Sequence, residues 1–372
     1  MATIGDSSAP SQNTINYDAL LTSTLNNYAM GGTLVDNIFK DSAFLASMRE
    51  LGGVVHQDGG ERIAMPLMFA GNSTVKSHSG YDVIDTTPQE GKTTAFEEWK
   101  ELAGTISISR KEERQNSGEA RIINLLEGKI KQAESQMTET LNTQLIQGTV
   151  SGTEFIAGNS AKDLQPLGHI IRKLPASAPT DSVSVGNIDA SAESWWRTNA
   201  AVLDSGTKDT GGAFALNVST YAGTKVALRR MNNFCARGSG GQPNLAVGDQ
   251  LTYETYENAL DVNIRFTNTR LADMGFDNVK IRATAFIWDE LVPSLDTGDV
   301  AGATNFVGTV FFINTRFMKI VIDSQTDIVT TPFIEPADQT AKTAKILFMG
   351  NLVSNNQRKH GAVYALSQTI VA

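Results

Sequence analysis

The apolar positions divide the chain into an irregular leader, a strand-rich stretch with a long polar interruption, one extended helical segment, a loop-rich middle and a closing series of short apolar runs. Residues 1–16 are polar and unpatterned. After them come short clusters: Leu20, Leu21 and Leu25; Leu34, Ile38 and Phe39; Phe44, Leu45, Met48 and Leu51. Gly31, Gly32, Gly52 and Gly53 interrupt them. Helical pieces without a continuous stripe cannot build a core alone, so residues 1–52 are expected to lie on something else as an arm, in this subunit or another.

From Val54 the pattern is that of strands: VVHQ, a turn signal at Asp58-Gly59-Gly60, then ERIAMPLMFA with Pro66 inside it. Proline has no N–H for a central ladder, which predicts an edge ribbon or a projecting hairpin. Residues 71–92 form a long polar connection, and the chain returns through TTAFEEWKELAGTISISR, where Leu102, Ile106 and Ile108 share one face at period two. A long tip that buries little of itself makes sense if a neighbour receives it.

The strongest periodicity follows. Ile123, Leu126, Ile130, Ala133, Met137, Leu141 and Leu145 recur at steps of three and four, between an N-cap at Asn116 or Ser117 and a stop at Gly148. A rise of 1.5 Å per residue makes this a rod of about 45 Å. Residues 149–216 are rich in Gly, Ser, Thr, Asp and Asn around the islands LGHIIRKL and SWWR. Helical patterns recur at residues 218–234 and 253–260, and KIRATAFIWDE, NFVGTVFFINTRFMKIVI, AKILFMGNLV and GAVYAL read as strands. The class is α+β. No repeat of 20 to 50 residues supports a solenoid or propeller.

Composition narrows the function. Charged residues are 19% of the 372, where about 25% is usual, and the net charge of -9 argues against a protein that coats phosphates. Hydrophobic residues, at 41%, suffice for a sizeable core. The one cysteine, Cys235, cannot form an internal disulfide and reads as a small buried hydrophobe. The first basic residue is Lys40, so no secretion signal is expected, and the apolar runs at 311–313 and 346–349 are far short of the ~20 residues that span a bilayer.

The chain offers little chemistry. His56, His78, His169 and His360 lie in four separate segments without the spacing of a zinc site. There is no GxSxG, Walker or GxGxxG pattern, and the run Gly238-Ser239-Gly240-Gly241 reads as a turn. Glu97-Glu98, Glu112-Glu113 and Asp289-Glu290 are neighbours that a strand would point to opposite faces. The loop Asp296-Thr297-Gly298-Asp299 is too short for an EF-hand. The runs Gln357-Arg358-Lys359-His360 and Arg229-Arg230 lack interleaved aromatics and read as salt-bridged or solvated edges. Trp195-Trp196 reads as a core anchor or an interface hot spot. No catalytic, cofactor-binding or metal-binding residue is nominated.

The order of arm, long hairpin, long helix, loop-rich region and late strands resembles the major capsid protein of tailed bacteriophages. So do several local stretches: Leu164-Gln165-Pro166-Leu167-Gly168-His169-Ile170-Ile171, Gly186-Asn187-Ile188-Asp189 before Ser194-Trp195-Trp196-Arg197, Thr252-Tyr253-Glu254-Thr255-Tyr256-Glu257-Asn258-Ala259-Leu260 after Pro243-Asn244-Leu245, and Gly350-Asn351-Leu352. The resemblance implies an N-terminal arm at 1–52 and an extended loop at 53–110 that lies over the adjacent subunit. It further implies a peripheral-domain spine helix within 111–151, a mainly axial domain at 152–320, and strands returning to the peripheral domain at 321–372. It implies hexameric and pentameric capsomers of this chain, a separate scaffolding protein, a portal, possible decoration proteins and only non-specific contact with packaged DNA, with no membrane partner. Some relatives join subunits through a Lys to Asn isopeptide bond; Lys76 and Lys92 lie in the corresponding region, and their surroundings single out neither. Two other readings stand beside this one: a bacterial nanocompartment shell of the same fold, and a cytoplasmic α+β hydrolase that would gather several of His56, His78, His169, His360, Asp289 and Glu290. A shell subunit would also place its charge deficit along the arm, the hairpin stems and the capsomer contacts.

Overall fold

A computed structural model describes residues 42–115, 125–151, 154–156, 159, 161–172, 175–176, 184–203, 212–214, 216, 221–260, 279–292, 308–336 and 340–364. They belong to two compact units, a smaller one drawn from 103–137 and 330–346 and a larger one holding most of the rest.

The larger unit begins at helix α1 (Ala43–Glu50), where the Ser42 hydroxyl accepts the Leu45 N–H and Phe44, Leu45 and Met48 are buried. Strand β1 (Val54–Gln57) follows, then β2 (Ile63–Met68) and β3 (Lys92–Glu97), which form an antiparallel hairpin with Pro66 opposite Thr94. This two-stranded ribbon leaves Pro66 no central ladder to disrupt. VVHQ, expected inside the hairpin, lies outside it: β1 pairs in parallel with β12 (Met318–Asp323), Val54 opposite Ile320. The Asp58-Gly59-Gly60 turn is held to that late strand instead of folding back, since Asp323 accepts the Gly59 N–H at 3.3 Å and the Ser324 hydroxyl donates to Asp58.

In the smaller unit, β4 (Lys100–Ser109) keeps its predicted alternation, with Ile106 and Ile108 buried, and pairs with β14 (Ala341–Ser354), which also pairs with the short β13 (Val329–Thr330). Helix α2 (Arg110–Gln115) was not expected; Glu112 and Glu113 lie in it rather than in a strand. Its cause is a capping box: the Ser109 hydroxyl accepts the Glu112 N–H at 3.2 Å and the Glu112 carboxylate accepts the Ser109 N–H at 3.0 Å. Lys129 then donates to that carboxylate at 3.2 Å.

Lys129 lies on the long helix α3 (Leu125–Ile146), whose later residues Leu141, Leu145 and Ile146 are buried in the larger unit. The helix stops as predicted at Gly148, which takes φ +53 and donates its N–H to Thr143. The N-cap expected at Asn116 or Ser117 lies outside the described residues. The short hairpin β5 (Thr149–Ser151) and β6 (Glu154–Ile156) and the turn of helix α4 (Leu167–Ile170) lead into the main sheet.

That sheet has six strands in the order β7 (Asn199–Val202), β15 (Gly361–Tyr364), β11 (Val310–Ile313), β8 (Leu245–Gly248), β10 (Thr284–Trp288) and β9 (Val279–Ile281). Its central strands are apolar runs buried on both faces, the pattern expected when each face is covered. One face takes helices α5 (Tyr221–Cys235) and α6 (Gln250–Asn258), with Val310, Phe312, Phe286 and Val363 against Leu228, Met231, Tyr253 and Tyr256. Toward the other, Tyr364 meets Phe311 edge-on and donates its hydroxyl to the Ile171 carbonyl.

Candidate functional site, the root of the hairpin

On β2 the residues at period two turn inward. Ile63, Met65 and Leu67, with Ala95 of β3, pack on Val185, Trp196, Val321 and Val353. The same phase of β3 carries Glu97 inward beside Ala95, so a carboxylate occupies a position the alternation reserves for apolar side chains.

Glu97 is 5% exposed and has partners from two other segments. It accepts the Gly186 N–H at 2.6 Å and the Gln165 side-chain amide at 2.8 Å. Burial nevertheless pushes its carboxyl up to about 7, against the opposite pull of those two hydrogen bonds and of Lys100. Asn351 completes the latch: its carbonyl oxygen accepts the Gln165 N–H at 3.2 Å, and its amide donates to the Glu98 carbonyl at 2.9 Å. Trp196 donates its indole N–H to Val185 at 2.9 Å. Four stretches therefore meet at the root of the hairpin, the longest of these contacts spanning 253 positions.

These are the stretches around Gln165, Gly186, Trp196 and Asn351, whose order along the chain carried the family resemblance. The resemblance stretch around Tyr253 instead builds α6 on the main sheet. Glu97 itself was seen only as one of a pair of neighbouring carboxylates; the signal that could have found it was its inward phase on β3.

Beyond the root the hairpin is unprotected. Every residue from 76 to 90 is exposed, with Tyr81 at 103% and Val83 at 98%. Beside the root, Phe69 stacks on Trp195 with ring centroids 5.2 Å apart at 23°. Together with Met68, Phe317, Gln357 and Arg358 they line a cleft of about 310 Å³.

The residues a hydrolase would gather have separate local roles. His56 is exposed and 3.1 Å from Asp327, His78 lies on the exposed tip, and His169 is buried in α4. His360 is buried, accepts the Asn314 N–H on Nδ1, and is held down at about 3 by burial. Asp289 ties down the start of α1, accepting the Ser42 hydroxyl at 3.1 Å and the Phe44 N–H at 2.9 Å, while Glu290 is exposed. Cys235 is fully buried, as predicted, and burial pushes its thiol up to about 12. The Gln357–His360 run is not the solvated or salt-bridged edge its charges suggested. Lys359 is 2% exposed and donates to the carbonyls of Arg237, Gly238 and Gly241, using its ammonium to close the glycine turn. The loop at Asp296 lies outside the described residues. Among the described residues no group of three or more His, Cys, Asp or Glu could hold a metal ion, and no helix is long and apolar enough to cross a membrane.

No family model matches the chain, and no curated protein does. Solved structures do. The capsid of Myoviridae phage XM1 superposes over 96% of this chain and 100% of its own at a TM-score of 0.53 and 10% identity. The cyanophage A-1(L) capsid superposes over 91% and 96% at 0.61 and 15% identity. The fold is the tailed-phage capsid fold. The capsid of a native GTA particle shares it as well, over 92% of this chain and 95% of its own, at a TM-score of 0.52 and 12% identity. At identities of 10 to 15% the chain shares the fold of these structures with few shared letters.

Proposed function

We propose that the chain is the self-assembling major capsid subunit of a tailed phage, forming the icosahedral shell that encloses its double-stranded DNA. The observation that carries this is a capsid fold over nine tenths of the chain whose hairpin leaves its whole tip in water. A monomer gains nothing from such an element, whereas a shell multiplies weak contacts made by projecting parts.

In this reading residues 1–52, of which 1–41 lie outside the described residues, are the arm, the hairpin within 53–110 is the extended loop over the adjacent subunit, and α3 is the spine of the peripheral domain. Residues 152–320 form most of the axial domain and residues 321–372 return to the peripheral domain. The partners are further copies of the chain in hexamers and pentamers, with a scaffolding protein and portal supplied separately and decoration proteins where present. Packaged DNA makes only non-specific contact, and the protein resides in the virion after assembly in the host cytoplasm. The role is structural, and the buried carboxylate and histidine serve the fold.

Analytical ultracentrifugation with negative-stain imaging tests this. Capsomers or closed shells are expected from the purified chain under assembly conditions, with scaffolding protein added where needed. A persistent monomer under all such conditions would overturn the reading.

A further inference from the structure

We propose that the glycine turn at 238–241 and the arginines beside it form a binding site for a phosphate group. The site is read from geometry alone; DNA as a source of that phosphate rests on the capsid-subunit reading.

Three segments meet at the turn. Lys359 donates to the carbonyls of Arg237, Gly238 and Gly241 at 2.8, 3.3 and 3.4 Å, and the Asn314 side-chain amide donates to those of Gly240 and Gln242 at 3.5 and 3.2 Å. The C-terminal end of a helix such as α5 otherwise meets an anion with free carbonyls and a partial negative charge. Here the carbonyls of the turn are already held by a cation and an amide. Its N–H groups are not: those of Gly238, Ser239 and Gly240 have no partner among the described residues. Gly238 and Gly240 take φ +80 and +108, while Ser239 between them stays outside the left-handed region. Such alternation turns successive N–H groups toward one concave side, the backbone form of an anion nest.

The surroundings are cationic. Arg237 precedes the turn. Arg316 adjoins Phe317, whose ring stands 2.6 Å from the place a Gly240 Cβ would take, and Arg358 adjoins Lys359 and lines a cleft with Phe317. All three are exposed, and none makes an ion pair or a side-chain hydrogen bond among the described residues. Arg237 lies over Phe234 with its guanidinium carbon 3.7 Å from the ring centroid, and Arg316 over Phe317 at 5.6 Å. Stacking holds a guanidinium by its face and leaves its N–H edge for an oxyanion. Residues 210–248, 300–322 and 339–372, which supply these segments, contain no Asp or Glu in a chain of net charge -9.

The number of donors decides the class of anion. Three N–H groups, the Ser239 hydroxyl and three guanidinium groups exceed the roughly four hydrogen bonds that one carboxylate accepts. A phosphate ion brings more acceptor oxygens on one centre, and a DNA strand brings one phosphate after another.

The test uses the full-length chain in phosphate-free buffer with two probes, radiolabelled inorganic phosphate in equilibrium dialysis and a short fluorescent DNA duplex in anisotropy. Arg237→Gln, Arg316→Gln and Arg358→Gln together are expected to weaken whichever probe binds at least about tenfold, and to lower the salt slope of duplex binding by about 2 to 3. Lysine at the same three positions keeps the charge and is expected to hold duplex binding within about threefold, which separates lost charge from lost fold. Ser239→Pro removes a turn N–H and the hydroxyl, leaves every arginine in place, and is expected to weaken binding at least about threefold. Phosphate bound without competition from the duplex places the free ion in the site, and duplex bound alone places DNA there; either supports it. Binding of neither probe, or binding left unchanged by the triple Gln variant or by Ser239→Pro, overturns the site and leaves the capsid reading intact. Tighter binding of poly-glutamate through the same arginines overturns the phosphate class. A wild-type chain that stays monomeric overturns the capsid reading and leaves the inorganic phosphate result standing.

Discussion

Gly186 meets Glu97 across the root of the hairpin, donating its N–H to the carboxylate at 2.6 Å while its carbonyl accepts the neighbouring Phe96 N–H at 3.1 Å. The contact is possible because Gly186 holds φ +61 and has no side chain; a Cβ there would come within 2.8 Å of the Ala95 Cβ. Both faults would act together in Gly186→Ala. The expected cost is about 3 kcal/mol, read as a lower urea midpoint with an unchanged slope. An unaltered midpoint would mean that the latch does not hold the hairpin.

The sequence made this region partly legible. Alternation placed Ile106 and Ile108 on a buried face, Pro66 demanded an isolated ribbon, and Gly148 ended the helix where the φ requirement falls. What failed were choices made by distant partners. VVHQ has the local pattern of a hairpin arm, and Asp323 and Ser324, over 260 positions later, draw its turn toward β12. Lys359 reads as a surface cation until the glycine turn brings three carbonyls to its ammonium. The cleft could not be read at all, because Phe69, Trp195 and Gln357 share no periodicity. Ser109 and Glu112, by contrast, spelled a capping box at the right spacing and could have predicted α2.

Removing the tip between Gly71 and Gly91 should separate folding from assembly. The hairpin core is made by Ile63, Met65, Leu67 and Ala95, all outside the deleted segment, so the shortened chain is expected to keep its circular dichroism and melting temperature. Shells should not form. Normal shells by electron microscopy would refute the role of the projecting loop.

Lys359→Met keeps the hydrocarbon stem, which packs 3.3 Å from the point where a Gly240 Cβ would stand, and deletes only the ammonium. The carbonyls of Arg237, Gly238 and Gly241 then lose their shared donor. A loss of about 2 kcal/mol is expected, with faster amide exchange confined to residues 237–241. Uniformly faster exchange over the whole sheet would show that Lys359 acts on the core rather than on the turn.

Glu97 and His360 should shape the pH dependence of stability in opposite senses. Burial raises the Glu97 carboxyl from 4.5 to about 7, so folding favours its protonated form. That contribution is fully present below 4.5 and is lost as pH rises through 7. Burial lowers His360 from 6.5 to about 3, so folding favours its neutral form, and that contribution is fully present above 6.5 and is lost as pH falls through 3. Between 4.5 and 6.5 folding takes up a proton at one site and releases one at the other, leaving their joint effect level. Each substitution should expose the other residue. Measured against wild type, Glu97→Gln should gain stability by up to about 3 kcal/mol as pH rises from 4.5 to 7, because it removes a group that must be protonated to stay buried. His360→Asn keeps an acceptor for the Asn314 N–H and removes the imidazole, so its gain should come on acidification below 6.5, at about 1.4 kcal/mol per pH unit. Urea titrations of the three proteins at half-unit steps from pH 4 to pH 8 decide the matter. Parallel curves would mean that neither group is buried in the form the fold requires.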